Sequence, residues 1–192
     1  MKNSTQRLVV SALMASLTCI ATMVIKIATP TFGYIHLGDG MVLLCGILLG
    51  PAGGALTAGL GSCMADLFSG YAAWAPATFL IKALTAAAAG FLFRLILRRS
   101  HAAYAQKIGV LLGGLAGEMI MVIGYFLYET GLAAASSGGL TTAALAAGAA
   151  SSAAGIPFNA VQGITGIIVC LALLPVLLKI PVTRNEILAP HP

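Results

Sequence analysis

Gly50-Pro51-Ala52-Gly53-Gly54 breaks an apolar run that extends from Met41 to Ala65. Glycine and proline side by side are the strongest turn punctuation a sequence carries, so this run reads either as one long helix or as two short ones. The other apolar runs are Leu8 to Ala28, Ala75 to Phe93, Ile108 to Leu127 and Ile156 to Leu178. Each comes near the ~20 residues that a helix needs to cross a bilayer. The choice lies between five spans and six, and charge decides it, because cytoplasmic loops carry the Lys and Arg excess. With six spans, Lys2, Arg7, Arg94, Arg98, Arg99, Lys107, Lys179 and Arg184 all fall on that side. With five, the span that contains Lys82 exits outward and leaves the Arg94 to Lys107 cluster outside. The sequence thus predicts an all-α integral membrane protein with six transmembrane helices and both termini cytoplasmic. It is a single membrane domain over residues 1–192, with spans at about 8–28, 40–50, 53–68, 76–98, 108–129 and 155–178. The helix over 40–50 is too short to cross alone and must pack against neighbours or line a cavity.

Composition agrees. The 192 residues are 59% hydrophobic and 8% charged, where an ordinary globular domain carries roughly 25% charged residues; the mean hydropathy is +1.01. That excludes a soluble enzyme and a nucleic-acid binder. The net charge of +5 sits in short clusters between apolar runs, as topology signals rather than a binding patch. Cys19, Cys45, Cys63 and Cys170 lie inside apolar runs without a C-x-x-C pair and read as small buried hydrophobes. The stretch from Leu8 to Ile25 is longer than a signal-peptide core, and no clear A-x-A site follows, so it reads as a first span that stays. There is no phosphate loop of the Gly-x-x-x-x-Gly-Lys-[Ser/Thr] type, no G-x-S-x-G and no H-E-x-x-H. His36, His101 and His191 fall in different loops or tails and offer no metal or haem site. The chain reads as a non-enzyme with no catalytic residues, no cofactor, no metal and no nucleic-acid partner.

The six-span topology gathers Asp39, Asp66 and Glu129 at the outer face, with Tyr34, His36, Tyr71 and Trp74 beside them. Ionisable residues inside a span are costly and point to function. Lys82 shares a helix stripe with Thr78, Thr85 and Ala89, and its expected partner is Asp39 or Asp66; the rival reading is a structural ion pair between two helices. Glu118, Met121, Tyr125 and Glu129 form a second stripe, suited to a small polar aromatic ligand or else to a packed interface with one buried Glu. Asn159, Gln162 and Gly166 share a face of the last span, where carboxamides either contact ligand or act as interhelical glue worth about 0.6 to 2 kcal/mol each. Asp39 has a second reading as a helix N-cap, and Trp74 and Tyr71 have one as interfacial anchors. The Ala, Gly, Ser and Thr segment from Gly131 to Gly155 reads as a lid over the site, a mobile loop or small-residue helix, or as a plain linker. In the first span, Ser11, Ala15 and Cys19, with Ala12 and Ser16 beside them, permit close approach of another helix.

In order along the chain stand Leu37-Gly38-Asp39-Gly40, Leu49-Gly50-Pro51-Ala52-Gly53-Gly54-Ala55, Gly61-Ser62, Ala65-Asp66-Leu67-Phe68-Ser69-Gly70-Tyr71 and Ile81-Lys82-Ala83. The last span adds Pro157-x-Asn159-x-x-Gln162-x-x-x-Gly166. This ordered set resembles the substrate-binding S components of energy-coupling factor (ECF) transporters, ABC-type importers of vitamins, over nearly the whole chain from Leu8 to Lys179. The resemblance implies a six-helix subunit of a bacterial cytoplasmic membrane that captures a vitamin or precursor on the outer side. Its implied partners are a transmembrane coupling protein and two cytoplasmic ATPases. Family members often present an Ala-x-x-x-Ala pattern of the first helix to the coupling protein; here the register reads Ala12-x-x-x-Ser16 and Ser11-x-x-x-Ala15, a departure that keeps close approach. The loop and last-helix pattern is similar to members for vitamin B6 forms, hydroxymethylpyrimidine and riboflavin. The substrate-binding set is then Tyr34, His36, Asp39, Asp66, Trp74, Lys82, Glu118, Tyr125, Asn159 and Gln162. The competing reading is a self-sufficient secondary transporter or channel in which Lys82 and Glu118 relay protons.

Overall fold

The computed structural model describes residues 4–31, 33–99, 102–181 and 183–184. Lys2, Phe32, His101 and His191 lie outside the described residues. The chain is helical: α1 Ser4–Val24, α2 Asp39–Phe68, α3 Ala75–Leu97, α4 Ala103–Ser136, α5 Thr142–Ser152 and α6 Ile156–Leu177, with one two-stranded hairpin, β1 Lys26–Ala28 and β2 Tyr34–His36, between α1 and α2. A short 3-10 turn joins α5 to α6. Five helical stretches are long and apolar enough to cross a membrane, the fifth being Thr142–Leu177, which takes in α5 and α6 together.

The break read at Gly50 is present inside α2. Gly50 takes φ 77° and ψ 176°, outside helical space and in a region that favours glycine, and Pro51 restarts the helix where a missing N–H costs nothing. Residues 46 and 54 of a straight helix would stand about 12 Å apart. Here a Cβ on Gly54 would run into the Cys45 carbonyl and the Gly46 backbone, so the two halves of α2 double back on each other. Arg7 donates to the Leu49 carbonyl at 3.3 Å, and the Arg94 guanidinium packs over Gly50; both cations sit where the first half exposes its last carbonyls. The first half is the core of the molecule: Val42, Leu43, Leu44, Cys45, Ile47 and Leu49 are all buried. As its shortness required, it is enclosed by neighbours.

Lipid gives no hydrophobic driving force between helices, so close backbone contact must hold them. Gly46 of α2 and Gly90 of α3 meet backbone to backbone, and Gly113 and Gly117 of α4 lie against the Ala89 and Thr85 carbonyls of α3. The exposed apolar side chains, such as Leu8, Val9, Leu13 and Ile20 of α1, face outward.

Two expected boundaries move. The span predicted over 8–28 ends at Val24, because residues 26–28 leave the helix to pair with 34–36 as a strand. Of the readings open for the segment from Gly131 to Gly155, the small-residue helix is the one found over most of it. Leu132-Ala133-Ala134-Ala135 extends α4 well past the predicted 129, since alanine has the highest helix propensity. Gly138 and Gly139, at φ 101° and 133°, then stop it, and Thr141 caps α5 by accepting from the Ala144 N–H at 3.2 Å.

Candidate ligand-binding site

The hairpin brings the aromatic and acidic residues together at the end of the bundle opposite Gly50. Its strands pair antiparallel with Ile27 opposite Ile35, and the turn closes with the Thr29 N–H donating to the Gly33 carbonyl at 3.0 Å. Three bonds tie it to the helices. Lys26 Nζ donates to Ser69 Oγ at 2.6 Å, Tyr34 Oη donates to Asp66 Oδ1 at 2.6 Å, and the His36 N–H donates to Gln162 Oε1 at 2.8 Å. His36 Nδ1 accepts from the Gly38 N–H at 3.0 Å, which requires a neutral ring; burial holds the imidazole down to about 4. Burial, then the Asp66 carboxylate, pushes the Tyr34 phenol above its ordinary range, so it stays a donor.

One or two turns further into the bundle lies a charged layer. Lys82 Nζ meets Asp39 Oδ1 at 2.5 Å with both side chains 0% exposed, and Gln162 Nε2 donates to Asp39 Oδ2 at 2.7 Å. Gln162 therefore links the ion pair to the hairpin backbone. The Lys82 ammonium also stands 5.3 Å from the centre of the Tyr125 ring, and Tyr125 Oη bonds Thr78 Oγ1 at 3.1 Å. Glu118 faces the same gap at Gly166 as Asp39. Neither of its buried carboxyl oxygens has a hydrogen-bond partner among the described residues.

Above this layer is a small cavity of about 20 Å³, room for one water. Tyr34, His36, Asp66, Trp74, Tyr125 and Asn159 line it, joined by Thr29, Gly33, Tyr71, Thr78 and Glu129. The Tyr34 and Tyr71 rings lie 4.6 Å apart, and Tyr71 and Trp74 stand edge to face at 5.8 Å. Asp66 Oδ2, Trp74 Nε1 and Glu129 Oε2 are buried here without a hydrogen bond of good geometry among the described residues, although Trp74 and Thr31 stand beside the Glu129 carboxylate. Buried polar atoms are nearly always paired, so such a cluster calls for a reason. A larger cavity of about 350 Å³ adjoins, between the hairpin turn, α4 and α5, and shares Trp74 and Glu129 with the first.

Six of the ten expected binding residues thus line one cavity, and Asp39, Lys82, Glu118 and Gln162 form the layer beneath it. Lys82 pairs with Asp39, not Asp66. Asp39 makes no capping bond; its carboxylate turns inward to Lys82 and Gln162, because a buried ammonium demands a counter-ion more than a helix end demands a cap. Thr29 and Gly33 escaped the sequence reading, since three-residue strands leave too short a pattern to show a hairpin. Glu129 was legible on the Glu118 stripe. On α1, Ser11 and Ala15 are half-buried, with the Ala15 carbonyl against Gly61, while Ala12 and Ser16 face outward.

The chain matches the family described as "ECF-type riboflavin transporter, S component" over residues 2–179. It is 34% identical over 122 residues to a Pyrococcus woesei protein described as an "Uncharacterized protein in gap 3'region", across 60% of this chain and 76% of that protein. A solved S component of a bacterial ECF transporter shares the fold at TM-score 0.64 and 18% identity, over 92% of this chain and 98% of that one. Matching across nearly its full length, this multi-pass membrane chain belongs to the S-component family of ECF-type riboflavin transporters.

Proposed function

We propose that this protein captures a small heterocyclic vitamin at the hairpin end of the bundle, with riboflavin ahead of vitamin B6 forms and hydroxymethylpyrimidine. The observation that carries this is the coincidence of an aromatic-lined cavity with buried atoms short of a good hydrogen bond, Asp66 Oδ2, Trp74 Nε1 and Glu129 Oε2, which a polar ring would pair. The family's own description favours riboflavin within that class. Tyr34, Trp74 and Tyr125 would stack on the ring, and Asp66, Asn159 and His36 would set its orientation. Lys82, Asp39 and Gln162 hold the floor of the site, with Glu118 facing it.

In this reading the doubled-back α2 supplies two spans, giving six crossings with both termini cytoplasmic and the hairpin end outside. The Lys and Arg distribution supports it, since Arg7 and Arg94 meet at the Gly50 elbow. A transmembrane coupling protein would dock along α1, where Ala12 and Ser16 face outward, and two ATPases would supply the energy. The membrane is then the cytoplasmic membrane.

Mass spectrometry of small molecules released from the detergent-purified protein, backed by thermal-shift titration with riboflavin, pyridoxine and hydroxymethylpyrimidine, tests the reading. A near-stoichiometric vitamin that stabilises the protein when added back is the expected result. An empty protein that none of them stabilises overturns it. Uptake that survives loss of the ATPases would instead favour a proton relay through Lys82 and the unpaired Glu118.

A further inference from the structure

The elbow end of the bundle holds a cavity that shares no residue with the site at the hairpin end. It opens between the end of α3 and the start of α4, measures about 290 Å³ and is lined by Leu95, Ile96, Arg99, Tyr104, Ala105 and Ile108. The lining has two characters. Arg99 brings a guanidinium and Tyr104 a hydroxyl, and the other four side chains are aliphatic.

Charge at this end has one sign. Arg98, Arg99 and Lys107 flank the turn from α3 to α4, and all three are exposed. The described carboxylates, Asp39, Asp66, Glu118 and Glu129, stand at the hairpin end or in the middle of the bundle, and the one ion pair among the described residues joins Lys82 to Asp39. The first turn of α4 carries no acidic residue and its start no capping side chain, although a helix start favours negative charge. Arg99 therefore lines the cavity with no carboxylate of the described residues beside it.

The bilayer supplies what is missing. A cation at the membrane surface favours an anionic lipid by about fivefold, and a tyrosine ring sits well where headgroups meet chains. The apolar side of the cavity continues into the membrane. On α3, Phe91 lies one turn deeper than Leu95; on α4, Leu112 lies one turn deeper than Ile108; all four are at least 42% exposed. The two rows form a trough between the helices, leading from the charged mouth toward the middle of the bundle. A glycerophosphate head and the first carbons of a chain match the cavity, and the trough takes the rest of that chain.

We propose that this cavity holds one phospholipid of net negative charge, with its phosphate on Arg99 and Tyr104 and one acyl chain laid along α3 and α4. The lipid would close the cytoplasmic mouth between these helices, at the end of the molecule far from the vitamin. The proposal needs only that the helices span a membrane and does not depend on which vitamin is captured.

Native mass spectrometry of the detergent-purified full chain, titrated with phosphatidylglycerol and phosphatidylcholine of identical acyl chains, tests it. One firmly held phosphatidylglycerol is expected, preferred at least fivefold. Arg99→Gln should cut that preference about fivefold, while Lys179→Gln, which removes the same charge from the same end outside the cavity, should change it less than twofold. Ile108→Trp, which fills the apolar part, should weaken both lipids severalfold and leave the preference intact. The thermal midpoint of each variant reports folding. Equal binding of the two lipids, or equal losses in Arg99→Gln and Lys179→Gln, would reduce the effect to diffuse surface attraction and overturns the site. Unchanged binding in Ile108→Trp overturns it too, because no chain then enters the cavity. A purified chain that retains no lipid, with Tyr104 shielded from labelling only when a partner protein joins, gives the cavity to that protein and overturns the proposal. Vitamin binding is measured separately and stands or falls apart from all of these outcomes.

Discussion

The two ends of this bundle are built on opposite terms. At the Gly50 end, α2, α3 and α4 meet through glycine and alanine backbone around Leu43, Leu44, Ile47 and Phe93, all buried. At the hairpin end and in the adjoining middle lie all the buried polar side-chain atoms of the described residues without a hydrogen bond of good geometry, among them those of Asp66, Trp74, Glu118 and Glu129. In lipid, packing holds helices together and an unpaired polar atom is a liability. The contrast teaches where stability is stored and, on the proposed function, where it is left for a ligand to supply.

The harshest break of the contrast is Lys82→Ala, which strips the counter-ion from Asp39 inside the bundle. Loss of one partner of a buried pair costs about 3–5 kcal/mol, so the folded yield and the thermal midpoint should collapse. Lys82→Ala combined with Asp39→Asn should recover much of the loss, because no buried charge is then left alone; a double variant as unstable as the single one would show that the pair does more than neutralise itself.

Gly46→Val attacks the other end. Its new side chain would strike the Ala86 carbonyl of α3, and overpacking of this kind costs about 1–3 kcal/mol. The midpoint should fall, while vitamin affinity of the folded fraction stays within a few-fold. A large loss of affinity at unchanged midpoint would mean that the two ends are not separable.

Asp66→Asn and Glu129→Gln sharpen the contrast from the ligand side. Each should lower vitamin affinity about tenfold, close to 1.4 kcal/mol, yet leave the ligand-free midpoint unchanged or raised, since a poorly satisfied buried carboxylate is removed. Isothermal titration paired with thermal unfolding separates the two; a matching drop in both would make these residues structural.

The last effect, small near neutral pH, is read along the pH axis. The His36 ring is held down to about 4 in the folded protein, against about 6.5 when unfolded. A depressed histidine favours folding while neutral, so its contribution is complete above about pH 6.5 and fades as pH falls toward 4. The midpoint should decline over that window, and His36→Gln should flatten the decline. An unchanged slope would place the acid sensitivity elsewhere.

The helices were legible because apolar runs of span length have no other solvent than lipid, and the α2 break because Gly50-Pro51 fits no uninterrupted helix. The Lys82, Glu118 and Gln162 stripes were legible because an ionisable or amide side chain inside an apolar helix stands out against its neighbours. The hairpin at 26–36 was not, since its strands span three residues each and are held by bonds from Ser69, Asp66 and Gln162 far along the chain. The helical form of residues 142–152 was one of several readings left open, because alanine, glycine and serine alone specify neither helix nor loop until Gly148 packs on the Thr130 carbonyl.

By itself, then, the sequence determined the solvent, the helices, the elbow and the residues with chemistry to offer, because these depend on local hydropathy and on backbone stereochemistry. Only the tertiary structure decided which of them meet. It chose Asp39 over Asp66 for Lys82, tied the hairpin to α6 through Gln162, and set Trp74 and Glu129 between two cavities. Partner choice inside a membrane follows from which polar atoms converge once backbones have packed, and that convergence is a property of distances between helices, which no single stretch of sequence contains.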